Sequence, residues 1–255
     1  MAIQRAPHQH FYIFGNCNMV PDHYDEAGPH RLLSGSHHAS RLTKGIQWQA
    51  AYDKLAEHVM ANEPDTLTYY FGLPLEYAAN PSATPSMLAF EAYATRAALY
   101  DVHLQSKPMQ EGFLPVASRT MSTGLDLTHY EAVEGSFLDR SGYKTECGII
   151  HDVQITCTGP EARKSLVGAL TLFCTLVNER QGPAGEDGEV LSFLGLVSLD
   201  NETGARLFAR YTSREAWERW LRETLVTKFW ESVKPYISSV DARPYAPNGK
   251  GWLWK

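Results

Sequence analysis

The chain has 255 residues, of which 44% are hydrophobic and 20% charged, and its formal net charge is −6. This composition is typical of a globular protein with room for two domains of ordinary size. The negative charge and the lack of a basic run argue against a nucleic-acid partner, because phosphate binding needs clustered Lys and Arg. No apolar stretch is long enough for a membrane span and no signal-peptide pattern is seen, so we expect a cytoplasmic protein.

Residues 1–140 carry the spacing of a β-α-β-β-α-β unit. The predicted elements are a strand at 9–16, a helix at 44–62, strands at 66–72 and 87–93, a second helix starting at Thr95, and a closing strand at 127–135. Two additions lengthen this unit. A His-rich insert at about 18–43 is predicted to be a lid or a solvated loop, and 107–126 is predicted to be irregular.

Residues 143–255 predict the same order of elements. They are a strand at 147–157, a helix from the capping sequence at 158–161 to about Arg180, strands at 190–199 and 206–211, a helix capped by Ser213, and a short strand at 238–243. A tail rich in Pro and Gly is expected after the last strand.

The two units repeat each other. The segment 90–99 reappears at 208–217 with an offset of 118, and Gly72 is aligned with Gly195 at an offset of 123. The same offset of 118 relates two helical stripes, which are Trp48, Tyr52, Leu55 and Val59 in the first unit and Leu166, Leu170, Phe173 and Val177 in the second. We therefore predict an α+β protein of two tandem ferredoxin-like domains, each covering the bare sheet face of the other in a barrel.

Two segments resemble a known family. The exit from the first helix, ANEPDTLTY at 61–69, and the second-helix sequence YATRAALYDVHLQS at 93–106 are similar to the antibiotic biosynthesis monooxygenase family, within the dimeric α/β-barrel superfamily. The second unit matches less well and has Leu221 where the first has His103. The resemblance implies cofactor-free oxidation of anthrone-like aromatic polyketides to quinones. Relatives include haem-degrading proteins and cofactor-free cyclases, isomerases and decarboxylases.

The haem-degrading branch of the family is a poor match. It uses an Asn on its first strand, a Trp on its third strand and a His late on its second helix. Asn16 fits the first of these positions, but Tyr93 replaces the Trp and Lys107 lies near the place of the His. Haem chemistry is therefore not expected.

Cofactor-free oxygenation needs a dry aromatic pocket, a general base and donors for an oxyanion. His10, Tyr12, Phe14 and Asn16 share one face of the first strand by its period of two, and His8 continues that face. This face is one candidate wall of the site. The alternative is that His8 and His10 lie in solvent at the strand end and that Asn16 caps a turn.

Positions that are Leu in the second unit carry Trp48, Tyr52 and His103 in the first. We therefore predict a pocket between the sheet and helices of the first unit, with the first strand and first helix as walls. His10 and His103 are the candidate catalytic bases. The predicted substrate-binding residues are Tyr12, Phe14, Asn16, Trp48, Tyr52 and Tyr69. Alternatively, His103 is a buried structural residue and the aromatic residues only fill a wider core.

No glycine-rich phosphate-binding motif or convincing ligand set is present, so neither a cofactor nor a metal is predicted. His8 and His10 share a side of a strand but have no acidic or Cys partner at ligand spacing. The four Cys residues are predicted to be free thiols, Cys17, Cys147, Cys157 and Cys174. The expected partners are a small aromatic substrate and O2, and a homodimer is left open.

The predicted function is a cofactor-independent monooxygenase of secondary metabolism, acting on a polycyclic aromatic or polyketide-derived phenol or anthrone. Two alternatives stay open. One is a cofactor-free cyclase, isomerase or decarboxylase on a similar substrate, and the other is a barrel that binds a ligand without turnover.

Overall fold

The computed structural model describes residues 9–20, 48–138, 147–180 and 188–253. We call 9–138 the first half and 147–253 the second half. His8, most of the His-rich insert and the predicted boundary between the units lie outside the described residues. Within them, no helix is both long and apolar enough to cross a lipid bilayer.

The first half has the predicted order of elements. They are β1 (Phe11–Asn18), α1 (Trp48–Asn62), β2 (Thr66–Pro74), β3 (Ser86–Tyr93), two π-helical segments (Ala98–His103 and Pro108–Phe113), α2 (Leu114–Thr120) and β4 (Asp126–Ala132). The prediction of an irregular stretch at 107–126 is wrong for most of its length. Met109, Phe113 and Val116 from this stretch are buried, so it forms a helical cover over the sheet and not a loop.

The second half repeats this order with regular helices. Its elements are β5 (Ile149–Cys157), α3 (Pro160–Arg180), β6 (Val190–Ser198), β7 (Gly204–Tyr211), α4 (Arg214–Trp220), α5 (Thr224–Val233) and β8 (Ile237–Trp252). Ser213 caps α4 as predicted, since its hydroxyl accepts a hydrogen bond from the Ala216 N–H.

The eight strands form one closed antiparallel barrel in the order β1-β3-β2-β8-β5-β7-β6-β4. Numbered within its own half, each half contributes its strands in the order 4-1-3-2, the order of a ferredoxin-like unit. Two pairings join the halves, β2 with β8 and β4 with β6. Closure removes the open sheet edges that two separate units would expose.

The predicted C-terminal tail is instead part of a strand. β8 pairs with β5 through its first part and with β2 through residues up to Trp252, so it is the strand that bridges the halves on one side. Gly251 allows the crossing, because it has a φ of +78° and a Cβ there would lie 1.8 Å from the Tyr69 carbonyl oxygen. The glycine that marked a tail in the sequence therefore marks a close approach of two strands.

The barrel divides the core into three parts. Its interior is lined by side chains from both halves, and each half buries a separate core between its strands and its own helices. We call these two outer cores the first and second helix–sheet layers. Leu55, Val59, Phe173 and Val177, which belong to the two helical stripes of the repeat, are buried in these layers, since none is more than 3% exposed.

Strand pairing gives the register of the repeat. Tyr69 pairs with Glu91, and Phe193 pairs with Ala209. Glu91 and Ala209 are equivalent at the offset of 118. Their partners Tyr69 and Phe193 are therefore equivalent too, which gives an offset of 124 between β2 and β6. The alignment of Gly72 with Gly195 is therefore wrong by one residue. Gly72 faces the barrel interior and Gly195 faces α3, and a shift of one reverses every side chain in a strand.

Candidate active site in the first helix–sheet layer

The predicted polar face of β1 does not reach the helices. Tyr12 and Phe14 belong to the barrel interior, where they pack with residues of both halves, and Asn16 lines a polar recess at one end of that interior. His10 is buried at the start of the strand, with its ring centroid 6.1 Å from that of Tyr12. The helices instead receive the other face of β1, including Ile13 and Cys17.

This placement corrects the predicted pocket. His10 and His103 lie on opposite faces of the sheet, so they cannot act on one ligand in the same pocket. The period of two correctly grouped the residues of β1, but it does not say which face is turned toward the helices. Tyr12, Phe14, Asn16 and His10 therefore belong to a different compartment from His103.

The barrel interior around these residues is built about a buried ion pair. Arg206 donates from Nε and Nη2 to the two Asp152 carboxylate oxygens at 2.5 and 2.6 Å. Its guanidinium also lies 3.8 Å from the centre of the Phe14 ring. Both charged side chains are almost fully buried. The ion pair joins β5 to β7 within the second half, and the contact of Arg206 with the Phe14 ring connects it to β1 of the first half.

The structure does bring Trp48, Tyr52 and Tyr69 together in the first helix–sheet layer. Tyr52 stacks between the other two, with ring centroids 4.7 Å from Trp48 and 5.0 Å from Tyr69. The sheet adds two groups that the sequence did not single out as site residues. The Glu91 carboxylate accepts hydrogen bonds from the hydroxyls of Tyr52 and Tyr93, each at 2.7 Å.

His103 reaches the same layer from the helical side and is paired with a second buried carboxylate. Its Nδ1 lies 2.8 Å from Glu63 Oε2, which also accepts a hydrogen bond from Thr66 Oγ1 at 3.1 Å. The His103 ring centroid is 5.7 Å from Tyr69 and 5.8 Å from Tyr93. A base candidate, two carboxylates and three phenols thus share one buried cluster.

A π-helical turn places His103 in this cluster. The Leu104 N–H bonds to the Leu99 carbonyl, which adds one residue to the turn that ends at His103. The offset of 118 therefore fails here, and Leu221 is 40% exposed while His103 is 1% exposed. The spatial counterpart is Trp220, which packs on the residues equivalent to Tyr69 and Tyr93 in the second half.

The electrostatics of the cluster keep the phenols protonated. Burial, and then the negative charge of Glu91, raise the pKa of Tyr52, Tyr69 and Tyr93 well above its usual value. These tyrosines therefore act as hydrogen-bond donors near neutral pH. The Tyr69 hydroxyl is buried near that of Tyr52, close enough to affect its pKa, yet it completes no hydrogen bond of ordinary geometry among the described residues.

Glu63 has the opposite tendency. Burial acts to raise its pKa, but the hydrogen bonds from His103 and Thr66 and the nearby positive charge outweigh burial, so the pKa lies below its usual value. His58 Nε2, on the solvent side, is 3.9 Å from the other carboxylate oxygen. Glu63 is therefore an anion beside the His103 ring at neutral pH.

A small cavity of about 30 Å3 lies at the centre of the cluster. Its polar lining consists of Tyr52, Tyr69, Glu91 and His103. The rest of the lining is largely apolar and consists of Gly15, Cys17, Ala89, Leu99, Leu104, Met109, Phe113, Leu125 and Leu127. This volume is that of about one water molecule, whereas ligand sites usually enclose about 300–1,000 Å3. A ring-sized ligand can enter only if the helical wall moves.

The polar cluster could have been found in part from the repeat. Glu91 is a lone carboxylate in an otherwise apolar strand, and its equivalent at the offset of 118 is Ala209. Glu63 is part of the helix exit that carried the family resemblance. Neither the pairing of Glu63 with His103 nor the π-helical turn has a local sequence signal, because both depend on tertiary packing.

The described residues contain no group of three or more His, Cys, Asp or Glu side chains arranged to hold a metal ion. All four cysteines are free, as predicted. The histidines of the insert lie outside the described residues. The cluster is therefore a site built from phenols, carboxylates and one imidazole.

No protein-family model and no curated protein sequence matches the chain. Solved structures do match over almost the full length. A provisionally named monooxygenase from Lactobacillus acidophilus has a TM-score of 0.66 at 10% identity over 95% of each chain. Another from Fusobacterium nucleatum has the same TM-score and identity over 95% of this chain and 93% of that one. An anthrone oxidase-like protein has a TM-score of 0.56 at 12% identity, over 94% and 91% respectively.

These similarities confirm at the level of the fold the resemblance that the helix motifs predicted. The neighbours cover both halves of the chain at once, so the single-chain barrel of two repeats is a shared architecture. At 10–12% identity the likeness shows the fold and not the reaction.

Proposed function

We propose that this tandem ferredoxin-like barrel is a cofactor-independent monooxygenase of secondary metabolism, with its active site in the first helix–sheet layer. The substrate class is an electron-rich phenol or anthrone, including polycyclic compounds of polyketide origin. The one observation that carries this proposal is that His103, Glu91, Tyr52 and Tyr69 line a buried cavity where the second half has an apolar core.

The cluster contains the groups that this chemistry requires. His103 Nδ1 is engaged by Glu63, so Nε2 is the nitrogen left to accept a substrate proton. Tyr69 lines the same cavity, and its hydroxyl is the donor proposed for the substrate oxygen as negative charge develops there. Tyr52 and Tyr93 are held by Glu91, which fixes the aromatic wall in place.

The reaction balances without a metal. Loss of a proton to His103 leaves an electron-rich anion, which passes one electron to O2, and the resulting radical pair combines to a peroxide. Loss of water from the peroxide gives the quinone, and the proton held by His103 leaves in that water. For an anthrone, one O2 is consumed, one oxygen atom enters the product and the other becomes water. A dry cavity favours this course because water would quench the anion.

The cavity is too small for the proposed substrate unless part of its wall moves. An anthrone-sized ligand requires the wall formed by Leu104, Met109 and Phe113 to move away from the sheet. These side chains belong to the π-helical segments and their junction, where hydrogen bonding is less regular than in an α-helix. We therefore expect substrate binding to shift this segment while the barrel stays unchanged.

A cofactor-free isomerase, cyclase or decarboxylase is the second candidate. The observation that favours it is the buried imidazole–carboxylate pair beside a phenol donor, which is sufficient for proton transfer without O2. The two candidates differ in whether turnover consumes oxygen.

The test is an oxygen-uptake assay on the full chain freed of metal by chelation. Anthrones and naphthols are offered, each with and without O2. The proposal predicts one O2 consumed per quinone formed and one ¹⁸O atom per product from ¹⁸O2. Turnover that continues without O2 would support the second candidate, and binding without any product would show a ligand-binding barrel.

A further inference from the structure

Burying the Glu63 carboxylate costs solvation free energy, which a charged or hydrogen-bonded partner has to offset. The Glu63 side chain is 3% exposed and that of His103 is 2% exposed, so both ionisable groups are removed from solvent. A carboxylate in such a place is retained only when paired and hydrogen-bonded. The described partners of Glu63 Oε2 are the His103 ring and the Thr66 hydroxyl.

The backbone around Glu63 holds it firmly. Its N–H bonds to the Val59 carbonyl at the end of α1, and its carbonyl accepts from the Thr66 N–H, with Pro64 between them. The carboxylate is therefore anchored by the turn that joins α1 to β2. An acceptor fixed in this way determines how a neighbouring imidazole is oriented.

The backbone around His103 has an unusual conformation that brings the ring to Glu63. The π-helical turn inserts one residue, and without it the position would follow the pattern of the exposed Leu221. In the second half a regular helix brings Trp220 to the equivalent place. The chain therefore departs from its own repeat at the point where the imidazole meets the carboxylate.

We infer that Glu63 is the positioning residue of this site: it accepts the Nδ1 proton of His103 and so directs the Nε2 lone pair of that ring into the cavity. It also stabilises the imidazolium that forms when Nε2 takes the substrate proton. This inference rests on the proposed function for its catalytic meaning. The state of the His103 ring in the resting protein is independent of that function.

The first experiment needs no substrate. Long-range ¹H–¹⁵N correlation spectra of the ¹⁵N-histidine-labelled full chain report which ring nitrogen of His103 carries the proton. We expect the wild-type ring to carry its proton on Nδ1, the nitrogen that faces Glu63, and a shift toward the Nε2-protonated form in Glu63→Gln. A wild-type ring that is protonated on Nε2, or that is already an imidazolium, would overturn the inference even if the variant fails to fold.

The second experiment uses the oxygen-uptake assay. Glu63→Gln is expected to lower kcat by about a hundredfold or more with little change in KM, because the ring is misdirected while the pocket is kept. Glu63→Asp should regain part of that loss. The matched control is Glu57→Gln, which removes an exposed carboxylate of α1, the helix that ends beside Glu63, and should leave kcat unchanged. A Glu63→Gln protein with wild-type kcat would exclude the positioning role.

The two proposals can fail separately. If the resting spectra show the expected ring state but no substrate consumes O2, the positioning of His103 stands and the monooxygenase proposal is wrong. If oxygen uptake is found but Glu63→Gln leaves both the ring state and kcat unchanged, the monooxygenase stands and this inference is wrong.

Discussion

The two helix–sheet layers have the same architecture and opposite chemistry. In the first layer, Tyr52, Tyr69 and Glu91 form part of a polar cluster around a cavity. At the equivalent positions the second layer has Leu170, Phe193 and Ala209, all within one continuous apolar core. The difference shows that the fold needs only the apolar version, so the polar groups of the first layer have another reason to be there.

The comparison extends to one histidine in each layer. His103 in the first layer has a carboxylate partner at 2.8 Å. His151, on the helix-facing side of β5, lies against Trp217 with ring centroids 5.4 Å apart, and burial lowers its pKa to about 4. The first imidazole is hydrogen-bonded to a buried carboxylate, whereas the second lies half-buried against an indole ring. The predictions below test this contrast.

The largest effect on stability is expected in the apolar layer. Phe173 stacks on Phe229 with ring centroids 4.2 Å apart and is 3% exposed. Phe173→Ala should lower the free energy of unfolding by about 3–5 kcal/mol, and its repeat equivalent Leu55→Ala by about 2–5 kcal/mol. Urea unfolding measures both. Wild-type stability in either variant would break the correspondence between the two layers.

An intermediate effect is expected from the tyrosines of the polar layer. Tyr93→Phe removes one of two hydrogen bonds to the buried Glu91 carboxylate and should cost about 1–3 kcal/mol. Tyr211→Phe is the matched control, because Tyr211 occupies the equivalent position beside Ala209 and not beside a carboxylate. It should cost less than Tyr93→Phe in the same unfolding assay. Equal costs would mean that the carboxylate adds nothing to the first layer.

An effect of similar size is a pH dependence of stability that arises in the second layer. Since the pKa of His151 is about 4 in the folded protein and near 6.5 when unfolded, the unfolded chain binds more protons between these values. Stability should therefore fall as the pH is lowered from 6.5 to 4, by about 2 kcal/mol once partial exposure of the ring is allowed for. His151→Gln should flatten this part of the curve, and an unchanged slope would contradict the assignment.

Much of the fold was predictable from the sequence because it depends on local periodicity. The alternation at 149–157 and the stripe through Leu166, Leu170 and Phe173 predicted β5 and α3 correctly. The errors arose where tertiary pairing decides the structure. The Gly-rich segment before Trp252 forms a strand only because β2 lies beside it, and the helical cover at 108–120 forms over a sheet face that the sequence does not display.

The candidate site was only partly predictable for the same reason. Comparison of the repeats found Trp48, Tyr52 and His103, because the offset of 118 aligns each with a Leu of the second half. For His103 that alignment is wrong, since its spatial counterpart is Trp220. The comparison missed Glu91, whose partners come from different elements, and it assigned the wrong face of β1 to the pocket. A period of two groups His10 with Tyr12, but which side of a barrel that group occupies is decided by closure of the whole sheet.

The central claim is that the working site lies in the first layer and not in the second. The most direct measurement compares kcat for His103→Gln and Trp220→Phe, two folded variants altered at spatially equivalent positions, on one substrate that supports oxygen uptake. The account predicts a loss of about a hundredfold or more for His103→Gln and a rate within a few-fold of wild type for Trp220→Phe. A full rate in His103→Gln together with a collapse in Trp220→Phe would place the site in the other half.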